Sequence, residues 1–261
     1  MSDTVLITGA TQGIGYELAK LWAKDGAALI LVARNAARLA EIKAEFEDQF
    51  HNSVTVMALD LSRGDAALEV FTAFGAEPVD ILVNNAGYGD FSAFAQSDWA
   101  KIENMMALNV VTLMHLTHLF MKGMIERDHG GILNVASVAS FQPGPMMAAY
   151  YASKAAVLSF TEGIAAELQG TKVHVSALCP GPTKTGFEAK AALENSNLFK
   201  TLRVGSAEQV ALDGYRALKK GKVVEISGLT NKAMIFMERF VPRRLVRWII
   251  KEVEATRRES E

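Results

Sequence analysis

The chain has 261 residues, half of them hydrophobic, with a net charge of −2 and a single cysteine. That is ample material for one sizeable core, so one α/β domain is favoured over two. Near-balanced charge leaves no basic field for nucleic acid, and Cys179 alone makes neither an intramolecular disulfide nor a cysteine-cluster metal site; a small buried hydrophobe at a strand end is its expected role.

The first apolar run, 5–8, is preceded by no basic segment and no apolar stretch of the signal-peptide kind, and no apolar run reaches the length of a membrane span. The expectation is an intracellular, cytoplasmic protein. Further β-rich runs lie at 27–33, 54–59, 81–84, 132–136, 173–178 and 223–226, continuously apolar, as strands covered on both faces are. Helical patterns separate them at 14–24, 36–50, 66–74, 99–125, 150–168 and 207–219. This alternation predicts a Rossmann-like, doubly wound parallel sheet of about seven strands with helices on both faces, formed by residues 1–228. A C-terminal helical extension, 229–261, follows it.

The first strand runs into Thr8-Gly9-Ala10-Thr11-Gln12-Gly13-Ile14-Gly15. Glycines let the backbone turn sharply and approach a diphosphate, while the next helix offers free N–H groups and the positive end of its dipole. The spacing is Gly-x-x-x-Gly-x-Gly, unlike the commoner Gly-x-Gly-x-x-Gly, and tight packing alone would also account for it.

The second strand ends Leu31-Val32-Ala33-Arg34. No carboxylate stands there to accept from an adenosine ribose, and Arg34 has the planar fork that suits a ribose phosphate, which favours NADPH over NADH. A solvated arginine at a strand end is the competing account. Asp60-Leu61, after the third strand, is placed to bound an adenine, with a helix N-cap as the other role for Asp60.

Asn84-Asn85-Ala86-Gly87 closes the fourth strand, where amides can bond neighbouring backbone and small residues clear room for a ligand. Asn109 sits in an otherwise apolar helix, so its amide needs a structured partner, whether as a satisfied core group or a functional one.

If Gln142-Pro143-Gly144-Pro145 is a loop and the next run a helix, Tyr150 and Lys154 stand at i and i+4 on one face. A phenol in water holds its proton to about pH 10, and Lys154 is placed to stabilise its anion. Ser137, ending the fifth strand, adds a hydroxyl for a substrate oxygen. Together they describe proton transfer at a carbonyl or alcohol oxygen, although Tyr-x-x-x-Lys alone arises by chance on many helices.

Thr8-Gly9-x-x-x-Gly13-Ile14-Gly15, Asn84-Asn85-Ala86-Gly87, Asn109, Ser137, Tyr150-x-x-x-Lys154 and Pro180-Gly181 occur in an order and spacing that resembles the short-chain dehydrogenase/reductase family over about residues 4–227. The resemblance implies an NADP(H)-dependent oxidoreductase of the carbonyl reductase type, interconverting a ketone or aldehyde and an alcohol. It implies a tetrad of Asn109, Ser137, Tyr150 and Lys154, with Tyr150 rather than Tyr151 as acid/base. Lys154 would lower the phenol's pKa and hold the nicotinamide ribose, and Asn109 would fix a water joining Lys154 to solvent. The cofactor would be held by Gly9, Thr11, Gln12, Gly13, Ile14, Gly15, Arg34, Asp60, Leu61, Asn85, Ala86 and Gly87, with Tyr150 and Lys154. Pro180, Gly181, Thr183 and Thr185 would grip the carboxamide, Thr183 replacing the family's usual aliphatic residue. A homodimer or homotetramer built on the helices at 99–125 and 150–168 is also implied. A non-catalytic NADP(H)-binding redox sensor or interaction protein on the same fold is the alternative.

Residues 187–203 are the expected lid, and 141–147 with 88–94 the expected pocket lining; Met146, Met147, Phe141, Phe187 and Phe199 suggest an apolar cavity for a hydrophobic substrate. His115 and His118 are three apart on a helix without a carboxylate or third histidine, and no metal is assigned. In the tail, apolar residues alternate with Arg239, Arg243, Arg244, Arg247 and Lys251, and Pro242 splits the stretch into two helices. Packing on the body or a sister subunit, a lid, and peripheral contact with a membrane surface are its three readings.

Overall fold

Val5, Leu6 and Ile7 of β1 (Thr4–Thr8) are all fully buried, as only an interior strand's can be. The computed structural model of the protein describes residues 3–184 and 204–255. In it β1 is joined by β2 (Ala28–Ala33), β3 (Val54–Ala58), β4 (Ile81–Asn84), β5 (Gly130–Val135), β6 (Val173–Cys179) and β9 (Val224–Ile226). All seven run parallel, in the order β3-β2-β1-β4-β5-β6-β9. A separate short parallel pair joins β7 (Thr183–Lys184) to β8 (Gly205–Ser206). The order reverses between β1 and β4, and their carboxyl ends open there into one crevice.

Alternate side chains feed two cores. Val5, Ile7, Leu29 and Leu31 meet α1 (Gly13–Lys24), α2 (Ala36–Phe50) and α7 (Ala207–Lys219) through Leu18, Trp22, Phe46 and Leu218. Leu6, Ile30, Val32 and Leu82 face the other way, onto α3 (Ala66–Phe74), α5 (Leu113–Glu126) and α6 (Ala148–Glu167). The central strands β1 and β2 are therefore largely apolar because both faces are covered.

Two expectations need correction. β3 is a sheet edge, and it exposes Thr55 and Ala58 instead of burying both faces. The long helix expected over 99–125 is interrupted: α4 (Trp99–Met106) gives way to a π-helical turn, Ala107–Thr112, before α5 begins. Within that turn the Asn109 amide and the Thr112 hydroxyl both bond backbone of other loops, which holds the wider coil in place.

The tail forms α8 (Leu229–Glu238) and α9 (Arg243–Ala255), separated at Pro242, which cannot donate to a continuing helix. Ile235 in α8 and Val246 in α9 are buried, and α8 contacts the segment Val138–Phe141. Among the described residues no helix is long and apolar enough to cross a membrane.

Polar side chains also cross the sheet. Asn84 Nδ2 donates to Asn134 Oδ1 (2.9 Å) and to Thr117 Oγ1 (3.0 Å), and Asn134 Nδ2 donates to Thr161 Oγ1 (3.0 Å). All four groups are buried, so removing one strands its neighbours where an unpaired donor has no water to turn to. Asn134→Ala is expected to lower unfolding free energy by roughly 2–4 kcal/mol, read by denaturant titration.

Candidate active site

The two loops at the crevice are stitched together by Thr8 and Asn85. Thr8 Oγ1 accepts from the backbone N–H groups of Asn85 and Ala86 (3.0 Å each), and Asn85 Nδ2 donates to the carbonyls of Thr8 and Gly9 (3.0 Å each). This close approach explains the glycines. Gly9 has φ +69°, and a Cβ there would stand 2.9 Å from Ala86 Cα; at Gly15 it would stand 2.4 Å from the Gly9 carbonyl oxygen. The first turn of α1 carries no acid, and its N-cap residue Gln12 makes no side-chain cap bond. Its leading N–H groups therefore face the crevice side-chain-free at the positive end of a helix dipole, a donor set that fits a diphosphate.

Beside that loop lies a cavity of about 480 Å³ lined by Thr11, Gln12, Tyr16, Asn35 and Arg38 among others. Arg34, next to it in sequence, is exposed and makes no hydrogen bond or ion pair with a described residue. Arg38 escaped the sequence reading. Its backbone N–H is capped by Asn35 Oδ1 (3.0 Å), and its guanidinium lies 2.9 Å from Glu41 and 5.8 Å from the centre of the Tyr16 ring. The signal was available, since Asn35 opens α2 and Arg38 follows it by three. Asp60 is not a helix cap: its carboxylate accepts from the backbone and hydroxyl of Ser62 (3.0 and 2.8 Å). Those bonds, the backbone one first, and then the charges of Arg34 and Arg63 hold it below the usual carboxylate range. Leu61 is buried, and its carbonyl accepts from Thr112 Oγ1 (2.7 Å).

At the inner end, Ser137 caps the 3₁₀ turn Val138–Phe141, accepting from Ala139 N–H (3.1 Å). Its hydroxyl donates to the Pro180 carbonyl (3.5 Å) and lies near enough to the Tyr150 phenol to lower its pKa. Lys154, one turn further along α6, is buried and donates from Nζ to the Val135 carbonyl (2.8 Å), 5.9 Å from the centre of the Tyr150 ring. Burial governs both groups. It pushes the Tyr150 phenol up to about 12, with the Ser137 hydroxyl pulling the other way, and pushes the Lys154 ammonium down to about 8. The expected lowering of the phenol by Lys154 is thus not what the protein's own groups produce, because the ammonium is turned onto Val135.

Gly87 passes directly over this pair: a Cβ there would lie 2.9 Å from Asn109 Oδ1 and 3.5 Å from Lys154 Nζ. The Asn109 amide is fully engaged. Oδ1 accepts from Tyr88 N–H (3.1 Å), and Nδ2 donates to the Tyr88 carbonyl (2.9 Å) and to Ser153 Oγ (3.1 Å). Its side chain is thus a satisfied core amide, a reading compatible with the functional one. Ser153 donates in turn to the Tyr150 carbonyl (2.7 Å), and Ser140 Oγ to that of Lys154 (2.8 Å). Neither serine was singled out from sequence, although Ser153 stands between the two residues that were.

The 180–184 segment abuts this centre. The Pro180 carbonyl accepts from Val138 N–H (2.9 Å), Gly181 leaves room for Asn231 of α8, and the Thr183 hydroxyl donates to the Gly181 carbonyl (2.8 Å). Thr185 and the expected lid at 187–203, with Phe187 and Phe199, lie outside the described residues. Of the expected pocket lining, Met147 is core, packed with Met105, Ala139, Tyr150 and Tyr151, while Phe141 packs against Ala136 and Cys179. Phe94 points into solvent. Tyr151 lies against Gly144, away from Ser137, and Cys179 is buried at the end of β6, as expected of it.

Comparison with known proteins places this geometry. A family model described as short chain dehydrogenase matches residues 3–196. A short chain dehydrogenase of Pseudocercospora fijiensis is 35% identical over 193 residues, 71% of this chain, which spans 61% of that relative's length. A 7beta-hydroxysteroid dehydrogenase of Mediterraneibacter gnavus is 29% identical over 233 residues, 88% of each protein. Among solved structures, a short-chain dehydrogenase from Sphingobium yanoikuyae in complex with NADPH superposes with a TM-score of 0.81 at 28% identity, covering 92% of this chain and 97% of that one.

The buried ammonium gives a pH signature. Because Lys154 titrates near 8 when folded and near the ordinary lysine value of 10.5 when unfolded, the unfolded chain binds more protons between those values, and stability rises with pH across that window. The destabilisation is complete below the lower value and gone above the upper. Relative to Lys154→Met, wild type is expected to gain about 3 kcal/mol between neutral pH and the top of that window, measured by paired denaturant titrations. A difference that stays flat with pH would mean that Lys154 titrates normally.

Proposed function

Because the chain belongs to the short-chain dehydrogenase/reductase family, we propose that it is an NADP(H)-dependent oxidoreductase that interconverts a ketone or aldehyde and an alcohol on a hydrophobic substrate. The observation that carries this reading is the neighbouring Ser137 and Tyr150 hydroxyls, with the Lys154 ammonium buried one helical turn away. When bound, the nicotinamide supplies hydride to a carbonyl carbon or takes it from an alcohol. Ser137 orients the substrate oxygen by hydrogen bond. Tyr150, whose pKa near 12 keeps it protonated at neutral pH, gives its proton to that oxygen in the reductive direction. Running in reverse needs the phenolate, and Lys154 is the cation within reach of it once its bond to Val135 is exchanged. Asn109, through Ser153, holds the helix turn on which both groups stand and is a positioning residue in this scheme.

The exposed Arg34 at the end of β2, with Arg38 lining the cavity beside the glycine loop, supports NADPH as the preferred coenzyme, as does the NADPH complex of the Sphingobium yanoikuyae relative. The apolar surroundings of Tyr150, from Met105, Met147, Tyr88 and Phe91, support a hydrophobic substrate, and the hydroxysteroid in the name of one relative is a compound of that class. Assembly into a homodimer or homotetramer is supported by the groove of about 460 Å³ between α5 and α6, where Met114, Met121 and Phe160 are left without a covering layer.

Tyr150→Phe is expected to bind NADPH like wild type and to lose turnover by roughly a hundredfold or more, measured by single-turnover kinetics beside coenzyme titration. Retained turnover would remove Tyr150 as the acid. Arg34→Asp should weaken NADPH by well over about tenfold and leave NADH little changed; coenzyme titration showing no altered preference would take Arg34 out of the phosphate site.

A further inference from the structure

The tail brings exposed apolar side chains and cations without an ion pair together on two short helices. Phe236, Met237, Phe240, Leu245, Trp248 and Ile249 are all exposed, whereas Ile235 and Val246 on the same two helices are buried. Each helix thus has a buried side, and α8 rests on the 3₁₀ turn at Val138–Phe141. Phe236 and Phe240 stack edge to face with ring centres 5.4 Å apart, forming an aromatic knob at the end of α8 and the turn after it.

On α9 the faces separate by helical spacing. Val246 turns inward with Ile250 half-buried beside it, Leu245, Trp248 and Ile249 occupy an outward arc, and Arg243, Arg247 and Lys251 follow one another at intervals of four along the remaining side with Arg244 next to them. Residues 229–255 hold six cations (Lys232, Arg239, Arg243, Arg244, Arg247 and Lys251) and three acids (Glu238, Glu252 and Glu254), in a chain whose net charge is −2. Lys232 pairs with Glu225; the other five make no ion pair with a described acid. Charge has been segregated onto the element that also shows the apolar face.

We propose that α8 and α9 form a foot that docks the protein onto an anionic phospholipid surface. Aromatic and aliphatic side chains enter the boundary between headgroups and acyl chains, and the flanking arginines meet lipid phosphates, the two signals that stable peripheral binding needs. A second copy is the poorer occupant. A symmetric contact through this face would set against its own copy a tail with twice as many cations as acids. The foot also sits beside the candidate active site: α8 packs on the 3₁₀ turn that Ser137 caps, and Asn231 lies against Gly181. Docking thus brings the crevice to a surface where hydrophobic carbonyl compounds accumulate. That consequence rests on the proposed function, whereas docking itself does not.

The test is co-sedimentation of the full chain with vesicles of phosphatidylcholine, with and without phosphatidylglycerol, at low and high salt. Binding is expected only to the anionic vesicles, falling by more than about tenfold at high salt. Arg244→Glu with Arg247→Glu should lose it by more than about tenfold, and Phe240→Ser with Ile249→Ser should lose it at low salt too, both with unchanged NADPH affinity and thermal unfolding. Failure of the native chain to sediment with anionic vesicles would overturn the proposal. So would a fall in native mass in the Phe240/Ile249 variant, which would make the face a subunit contact. Neither readout depends on turnover, so loss of catalysis in other variants leaves the docking result standing.

Discussion

A lysine ammonium in a protein interior must find a partner or lose its proton, and the centre of this molecule is built around that requirement at Lys154. The Val135 carbonyl at the end of β5 meets the charge, while Ser140 ties the lysine's own carbonyl to the next turn. Gly87 lets another loop pass without a side chain. Even so, burial wins over the one hydrogen bond, and the ammonium is held well below its ordinary pKa. The same burial raises Tyr150, so the pair stands as a protonated acid beside a cation that gives up its proton easily.

That pocket is held in place by a fold whose connections do the positioning. Reversal of strand order between β1 and β4 makes the crevice, and Thr8 and Asn85 close its floor by bonding one loop to the other. Asn84 and Asn134 then carry polar contact through the sheet to α6, the helix that bears Tyr150 and Lys154. Interior amides are costly when unpaired, so this ladder fixes register as well as contributing stability. The π turn at 107–112 plays the same part from the other side, since Asn109 reaches both the Tyr88 backbone and Ser153 from it.

The tail follows a different logic. Pro242 divides it, each helix buries an aliphatic residue, and the remaining surface is left apolar and basic where the rest of the chain is net negative. An interior-facing stripe would carry the same apolar residues. It would have no use for arginines along its edge.

Strand and helix placement was legible in the sequence because each element carries its own period: continuous apolar runs for covered strands, glycines at the β1 turn, and the four-residue interval that sets Tyr150 and Lys154 on one helical face. What is local along the chain can be read along the chain. β3 as an edge, the break in the long helix and the inward turn of Met147 could not be read that way, because each depends on which distant segment lies next to it. The choice that Lys154 makes between the Tyr150 ring and the Val135 carbonyl is of the same kind, as is the engagement of the Asn109 amide by Tyr88 and Ser153. Spacing decides which groups can meet; packing against residues remote in sequence decides which bond forms, and how far burial then moves a proton.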